Sequence, residues 1–152
     1  MKKMSKSLAE TEILAEIFLK KLKPGKQATI VALEGDLGSG KTAFTQVVAK
    51  ILGIESKITS PTFVIEKKYR IPAKNSAQNA TFSSYEQLIH IDAYRLNQGG
   101  DLLSLGWAKI VKNPKNLVFL EWPKIVSGIL PSGCRVVSLK FVDERTREIS
   151  FD

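Results

Sequence analysis

The chain has 152 residues, of which 43% are hydrophobic, and this suits one ordinary globular domain with a full core but leaves no room for a separate substrate domain or large lid. Its charge is 23 − 15 = +8 with a pI near 9.6, which suits nucleic acid, a phosphorylated ligand or an acidic partner. Cys134 alone excludes an intramolecular disulfide, and Cys and His form no metal-binding pattern.

The first residues, Met-Lys-Lys-Met-Ser-Lys, are basic, but Glu10, Glu12 and Glu16 follow, unlike a secretory signal. No apolar run approaches the ~20 residues of a membrane-spanning helix. Together these features predict a cytoplasmic protein. Ser7 followed by Glu10 predicts a helix start through a capping box. Leu14, Ile17, Phe18 and Leu22 give that helix an apolar stripe, and Pro24-Gly25 ends it. Residues 28 to 33, Ala-Thr-Ile-Val-Ala-Leu, read as a buried parallel strand.

Residues 35 to 42, Gly-Asp-Leu-Gly-Ser-Gly-Lys-Thr, complete the pattern G-x-x-x-x-G-K-S/T. Such a loop turns backbone N–H groups toward phosphate oxygens. Lys41 is placed for the β- and γ-phosphates and the Thr42 hydroxyl for Mg²⁺. Gly35, Asp36, Leu37, Gly38, Ser39, Gly40, Lys41, Thr42 and Ala43 are therefore the candidate nucleotide-binding residues. A helix over 42–52 follows, with Gly53 as its C-cap glycine, so strand, loop and helix come in the confirming order.

Three further patterns bear chemistry. Ser60-Pro61-Thr62-Phe63 opens a strand predicted over 62–69, where the Thr62 hydroxyl could reach a metal or a γ-phosphate, although an ordinary Ser-Pro turn explains the residues as well. Residues 72–84 are small and polar, as in a hairpin tip or loop. In a strand over 88–93, His90, Asp92 and Tyr94 alternate onto one face, with Asp92 a candidate outer-shell Mg²⁺ ligand and Arg95 able to pair with a carboxylate or phosphate. A short helix over 101–111 comes next. Leu117-Val118-Phe119-Leu120 is a purely apolar strand ending in Glu121, a carboxylate that would face the Mg²⁺ shell or polarise the attacking water. Trp122 follows it. Residues 135–142 and 147–151 suggest a terminal hairpin.

Taken in order and spacing, Gly-Asp-Leu-Gly-Ser-Gly-Lys-Thr, Ser-Pro-Thr-Phe, His-x-Asp-x-Tyr-Arg-Leu and Leu-Glu-Trp-Pro resemble the bacterial TsaE family over essentially the whole chain. The resemblance implies a phosphate-loop NTPase fold for the single domain 1–152: a mixed, mainly parallel sheet flanked by helices, with a C-terminal β-hairpin. It implies ATP and Mg²⁺ as ligands and slow ATP hydrolysis. It also implies action on the TsaB–TsaD complex, which installs threonylcarbamoyl on adenosine 37 of ANN-decoding tRNAs, with tRNA itself contacted indirectly. By matching position, Lys41, Asp92 and Glu121 are the expected catalytic residues. Thr42, Thr62, Asp92 and Glu121 are the expected metal set. His90, Tyr94, Arg95 and Trp122 are assigned to site architecture or a partner face. The 72–84 segment exceeds the usual family turn, Ser39 stands where alanine is frequent, and no arginine is evidently placed as a finger. Two other readings remain open: a small-molecule kinase, for which the only lid-sized insert lacks an arginine, and a nucleotide-gated binding module. A guanine-reading Asn-Lys-x-Asp sequence is missing, which argues against a GTPase.

Overall fold

The computed structural model describes residues 1–73 and 84–152. Its chain order is β1 (Lys2–Ser5), α1 (Leu8–Lys21), β2 (Thr29–Glu34), α2 (Lys41–Ile51), β3 (Glu66–Arg70), β4 (Gln87–Asp92), α3 (Gly99–Ser104), α4 (Trp107–Lys112), β5 (Asn116–Glu121), β6 (Arg135–Phe141) and β7 (Arg147–Phe151). Single-turn-type 3-10 segments occupy Ala93–Arg95 and Pro123–Ile129. All seven strands form one sheet in the order β1-β7-β6-β2-β5-β4-β3. The four central strands β6, β2, β5 and β4 run parallel, and β7 and β3 pair antiparallel at the flanks. This is the expected mixed α/β architecture, including the C-terminal hairpin of β6 and β7.

Side-chain alternation distributes the core over both faces. On β5, Leu117 and Phe119 join α1 and α2 in one cluster, whereas Val118 and Leu120 join Leu102, Trp107 and Ile110 in the other. β5 is buried along its whole length, as its unbroken apolar run requires. The helix boundaries have local causes. Ser7 Oγ accepts from Glu10 N at 3.2 Å, and Glu10 Oε2 accepts from Lys6 N at 2.7 Å, one residue before the usual capping-box partner. At the end of α2, Gly53 takes φ +78°; its N–H bonds Lys50 O and the Ile54 N–H bonds Ala49 O, a Schellman ending.

Three expectations need correction, and one strand was not anticipated. The strand anticipated over 62–69 begins only at Glu66, because Val64 N and Ile65 N both donate to Pro61 O and hold 61–65 as a turn. The helix anticipated over 101–111 is two short helices broken at Gly106, whose φ of +90° a continuous helix cannot contain. Tyr94 does not continue β4: the strand ends at Asp92, whose Oδ1 caps the Ala93–Arg95 turn through Tyr94 N. The basic N-terminus contains β1, paired with β7 from Lys2↔Ser150 to Ser5↔Arg147. The expectation for 72–84 falls almost wholly outside the described residues.

Candidate functional site

The site forms where the parallel strands end. Parallel register sets Asp92 beside Glu121 at the C-terminal ends of β4 and β5, and Leu33 of β2 lies across from Glu121. Period-two alternation puts His90 and Asp92 on the same sheet face as Leu88, and Glu121 on that of Leu117 and Phe119. That face is the one covered by α2, so both carboxylates project toward the start of that helix.

Between β2 and α2 the chain makes the glycine loop. Gly35, Gly38 and Gly40 take φ of +149°, +76° and +103°. Gly35 is also sterically required: a Cβ there would stand 2.3 Å from Leu139 O and 2.4 Å from Ser39 Oγ. Ser39 is buried, and its Oγ has no hydrogen-bond partner among the described residues. Lys41 is 5% exposed. Its Nζ donates to Gly35 O at 2.7 Å and Asp36 O at 2.9 Å, and lies 4.3 Å over the Trp122 ring. Burial pushes the Lys41 ammonium below the ordinary lysine value, and Glu121, Asp92 and Asp36 act against that shift.

Hydrogen bonds connect the remaining groups. Thr42 Oγ1 donates to Glu121 Oε1 at 2.9 Å, and His90 Nε2 meets the same oxygen at 2.8 Å. A carboxylate only accepts, so the favoured His90 tautomer carries its proton on Nε2. His90 is fully buried, so it orients Glu121 from behind and presents nothing to a partner face. Thr62 Oγ1 donates to Asp92 Oδ2 at 2.6 Å and lies 2.7 Å from Ser60 Oγ. Trp122 holds φ +58°, uncommon for a residue with a side chain, and its ring lies 5.2 Å from that of Tyr94. Arg95 is turned away from the carboxylates and lies 4.5 Å over Phe63, which is 83% exposed.

These residues border a cleft of about 360 Å³ whose lining includes Gly40, Lys41, Thr42, Thr62, Asp92 and Glu121. The glycine loop and the N-terminus of α2 offer main-chain donors to an anion. Thr42, Asp92 and Glu121 offer hard oxygens. Among the described residues no three His, Cys, Asp or Glu side chains are grouped as metal ligands. Two carboxylates with one hydroxyl fit Mg²⁺, which keeps waters and shares phosphate oxygens, and do not fit a structural zinc site.

One neighbour of the loop escapes the sequence motifs. Arg147 on β7 stands where a Cβ on Gly40 would meet its Nε at 3.8 Å. Its guanidinium is held over Phe141 at 4.6 Å and by the main-chain oxygens of Asp143 and Thr146. With Ser5, Thr11, Ala43 and Arg145 it borders a second hollow of about 210 Å³ against Gly40. No local signal marks Arg147, because its position depends on the β6–β7 pairing more than a hundred residues after the loop.

A family model described as threonylcarbamoyl adenosine biosynthesis protein TsaE matches residues 5–149. The protein named tRNA threonylcarbamoyladenosine biosynthesis protein TsaE in Rickettsia prowazekii is 32% identical over 142 residues, spanning 93% of this chain and 87% of that one. The protein of the same name in Bacillus subtilis is 31% identical over 142 residues, spanning 93% and 78%. The crystal structure of YdiB from that species superposes with a TM-score of 0.73 at 27% identity, over 99% of this chain and 83% of that one. No helix among the described residues is long and apolar enough to cross a membrane. With a family match that runs almost from end to end, and relatives alike over nearly the same span, this chain belongs to the TsaE family.

Proposed function

We propose that the chain is a Mg²⁺-dependent ATP-binding protein and slow ATPase that serves formation of threonylcarbamoyladenosine in tRNAs reading ANN codons, acting on the TsaB–TsaD transferase complex. The observation that carries this reading is the convergence of Lys41, Thr42, Thr62, Asp92 and Glu121 on one cleft at the strand ends. The relatives' names supply the process. Lys41 and the glycine loop hold the β- and γ-phosphates. The Arg147-bordered hollow beside Gly40 is open to the nucleoside. When bound, Mg²⁺ would supply charge neutralisation at the phosphates. Thr42, Asp92 and Glu121 are the residues that would hold it, directly or through water.

Glu121 Oε1 is occupied by Thr42 and His90, which leaves Oε2 to orient the attacking water. Among the described residues no guanidinium pairs with these carboxylates, and Lys41 is the one cation in the cleft's lining. Charge compensation is thus incomplete in the chain alone, which favours slow turnover and completion by a partner. The test is Mg-ATP turnover by the purified protein with and without the TsaB–TsaD pair of its organism. Stimulation or nucleotide-dependent co-elution is expected. A rate that the pair leaves unchanged, with no binding, would overturn the reading.

A further inference from the structure

The nucleotide cleft uses few of the chain's positive charges. A second group lies at the opposite end of the sheet, where α1 ends, β2 and β6 begin and α4 hands over to β5. Lys21, Lys23, Lys26 and Arg135 line an open hollow of about 660 Å³ there, and its lining contains no Asp or Glu. Lys112 is adjacent, since the Ala28 N–H donates to Val111 O at 2.9 Å. The four lysines are exposed. Several other lysines are paired with carboxylates: Lys2 with Glu148, Lys20 with Glu16, Lys50 with Glu12, Lys68 with Glu66 and Lys115 with Glu86. Lys21, Lys23, Lys26, Lys112 and Arg135 make no ion pair with a carboxylate among the described residues. Lys21 Nζ lies 5.7 Å over the Phe151 ring, and Arg135 donates to the main-chain oxygen of Asp152 at 2.7 Å. The hollow therefore keeps its charge.

We propose that this basic hollow binds the phosphate backbone of folded RNA, on the side of the molecule away from the nucleotide cleft. Several unpaired cations spread across an open surface fit a polyanion better than one small anion, which would need a closed cradle. Among the described residues no exposed large apolar side chain lines the hollow, so it is a poor seat for a membrane or an apolar protein face. Among the described residues its lining also holds no aromatic side chain on which a base could stack. Contact with backbone and helical shape follows, without base reading. The choice of RNA among polyanions rests on the tRNA-modification reading above; the charge geometry does not.

The experiment is fluorescence-anisotropy binding of an unmodified ANN-decoding tRNA transcript to the full chain over a KCl series. The triple variant Lys21→Glu, Lys23→Glu, Lys26→Glu should bind at least about tenfold more weakly and lower the slope of log K against log salt by about 2. A control with the same charge change elsewhere, Lys3→Glu, Lys6→Glu, Lys140→Glu, should stay within about threefold of the parent, since distant exposed charges are largely screened. Lys21 is in the last turn of α1, where Glu disfavours the helix. The neutral set Lys23→Gln, Lys26→Gln, Lys112→Gln repeats the test without that cost. Equal losses in both charge-reversed triples, no tRNA binding by the parent, or binding to phosphatidylserine vesicles in place of tRNA would each overturn the proposal. ATP turnover measured on the same triple separates the two readings. Loss of RNA binding with turnover intact supports the RNA surface, and it stands even where TsaB and TsaD fail to alter the rate.

Discussion

Two segments of the cleft at the strand ends are held by different means. The loop from Gly35 to Gly40 is fixed by steric necessity: its glycines take conformations closed to other residues, and Gly35 is pressed against a strand carbonyl. The segment from Ser60 to Ile65 is fixed by a few polar contacts. Thr62 is tied to Asp92, Ser60 is exposed, and Ile65 is β-branched at φ +68°, an unfavourable backbone state. Ile65 carries backbone strain, and the segment is tied to β4 by Thr62 Oγ1 to Asp92 Oδ2 at 2.6 Å and by the Asp92 N–H to Ile65 O at 2.8 Å; on the proposed function it is the part expected to change with ligand. On the proposed function the contrast makes one wall of the site a template and the other a candidate responsive element, a division seen in nucleotide switches generally.

The sharpest way to break this contrast is to attack the template. Gly35→Ala places a Cβ 2.3 Å from Leu139 O, which β6 cannot withdraw without losing sheet pairing. A loss of about 3 kcal/mol or more in urea unfolding is expected, together with loss of nucleotide binding. Ser60→Ala in the other segment should cost less than about 1 kcal/mol, as exposed polar substitutions do. Similar losses at both positions would erase the distinction.

Chemistry at the shared floor comes next in size. Glu121→Gln keeps a hydrogen-bonding group of the same shape but removes the carboxylate that, on the proposed function, orients water. Steady-state ATP turnover should fall by about 10²–10⁴-fold, with ATP affinity held within a few-fold. Unaltered turnover would remove Glu121 from the mechanism. Thr62→Ala tests the responsive wall and should be gentler. Turnover and its dependence on TsaB–TsaD should fall by about tenfold, ADP affinity should not move, and Thr62→Ser should restore function, because only the hydroxyl reaches Asp92. A Thr62→Ala protein with full turnover and full partner response would make the segment as passive as the loop.

The same division governs what was legible in the sequence. Residues 35–42 could be read because their function follows from contiguous spacing and local backbone demands. The alternation that brings His90 and Asp92 to one face was also readable within the strand, although Tyr94, read with them, lies beyond its end. Their meeting with Glu121 was not: the His90–Glu121 bond depends on the β4–β5 register, which no local pattern encodes. Arg147 was missed for the same reason. β1 was concealed by its composition, since Lys2 and Lys3 resemble a solvated tail. An edge strand needs only backbone pairing with β7 and tolerates exposed lysines. The late start of β3 turned on Pro61, whose carbonyl captures two N–H groups that a strand would have used. The break between α3 and α4 turned on Gly106, which reads equally well as an unremarkable helical glycine.

The smallest effect lies in the protonation of the template itself. Burial favours the neutral form of Lys41, so its pKa in the ligand-free protein lies below the ordinary lysine value. In the window between that lowered value and the unfolded one, the unfolded chain holds more protons, and stability gains as pH rises. Nucleotide phosphates bring negative charge to Nζ and favour the ammonium, the opposite direction. ATP binding should therefore take up a fraction of a proton on the alkaline side, and affinity should weaken as pH climbs toward the ordinary lysine range. Calorimetry at one alkaline pH in two buffers of different ionisation enthalpy reads the uptake directly. Lys41→Arg, which stays charged throughout, should abolish the uptake even where it weakens binding. Equal apparent enthalpies in the two buffers would show that Lys41 is already fully charged before ATP arrives. The acids Glu121, Asp92 and Asp36 would then outweigh the cost of its burial.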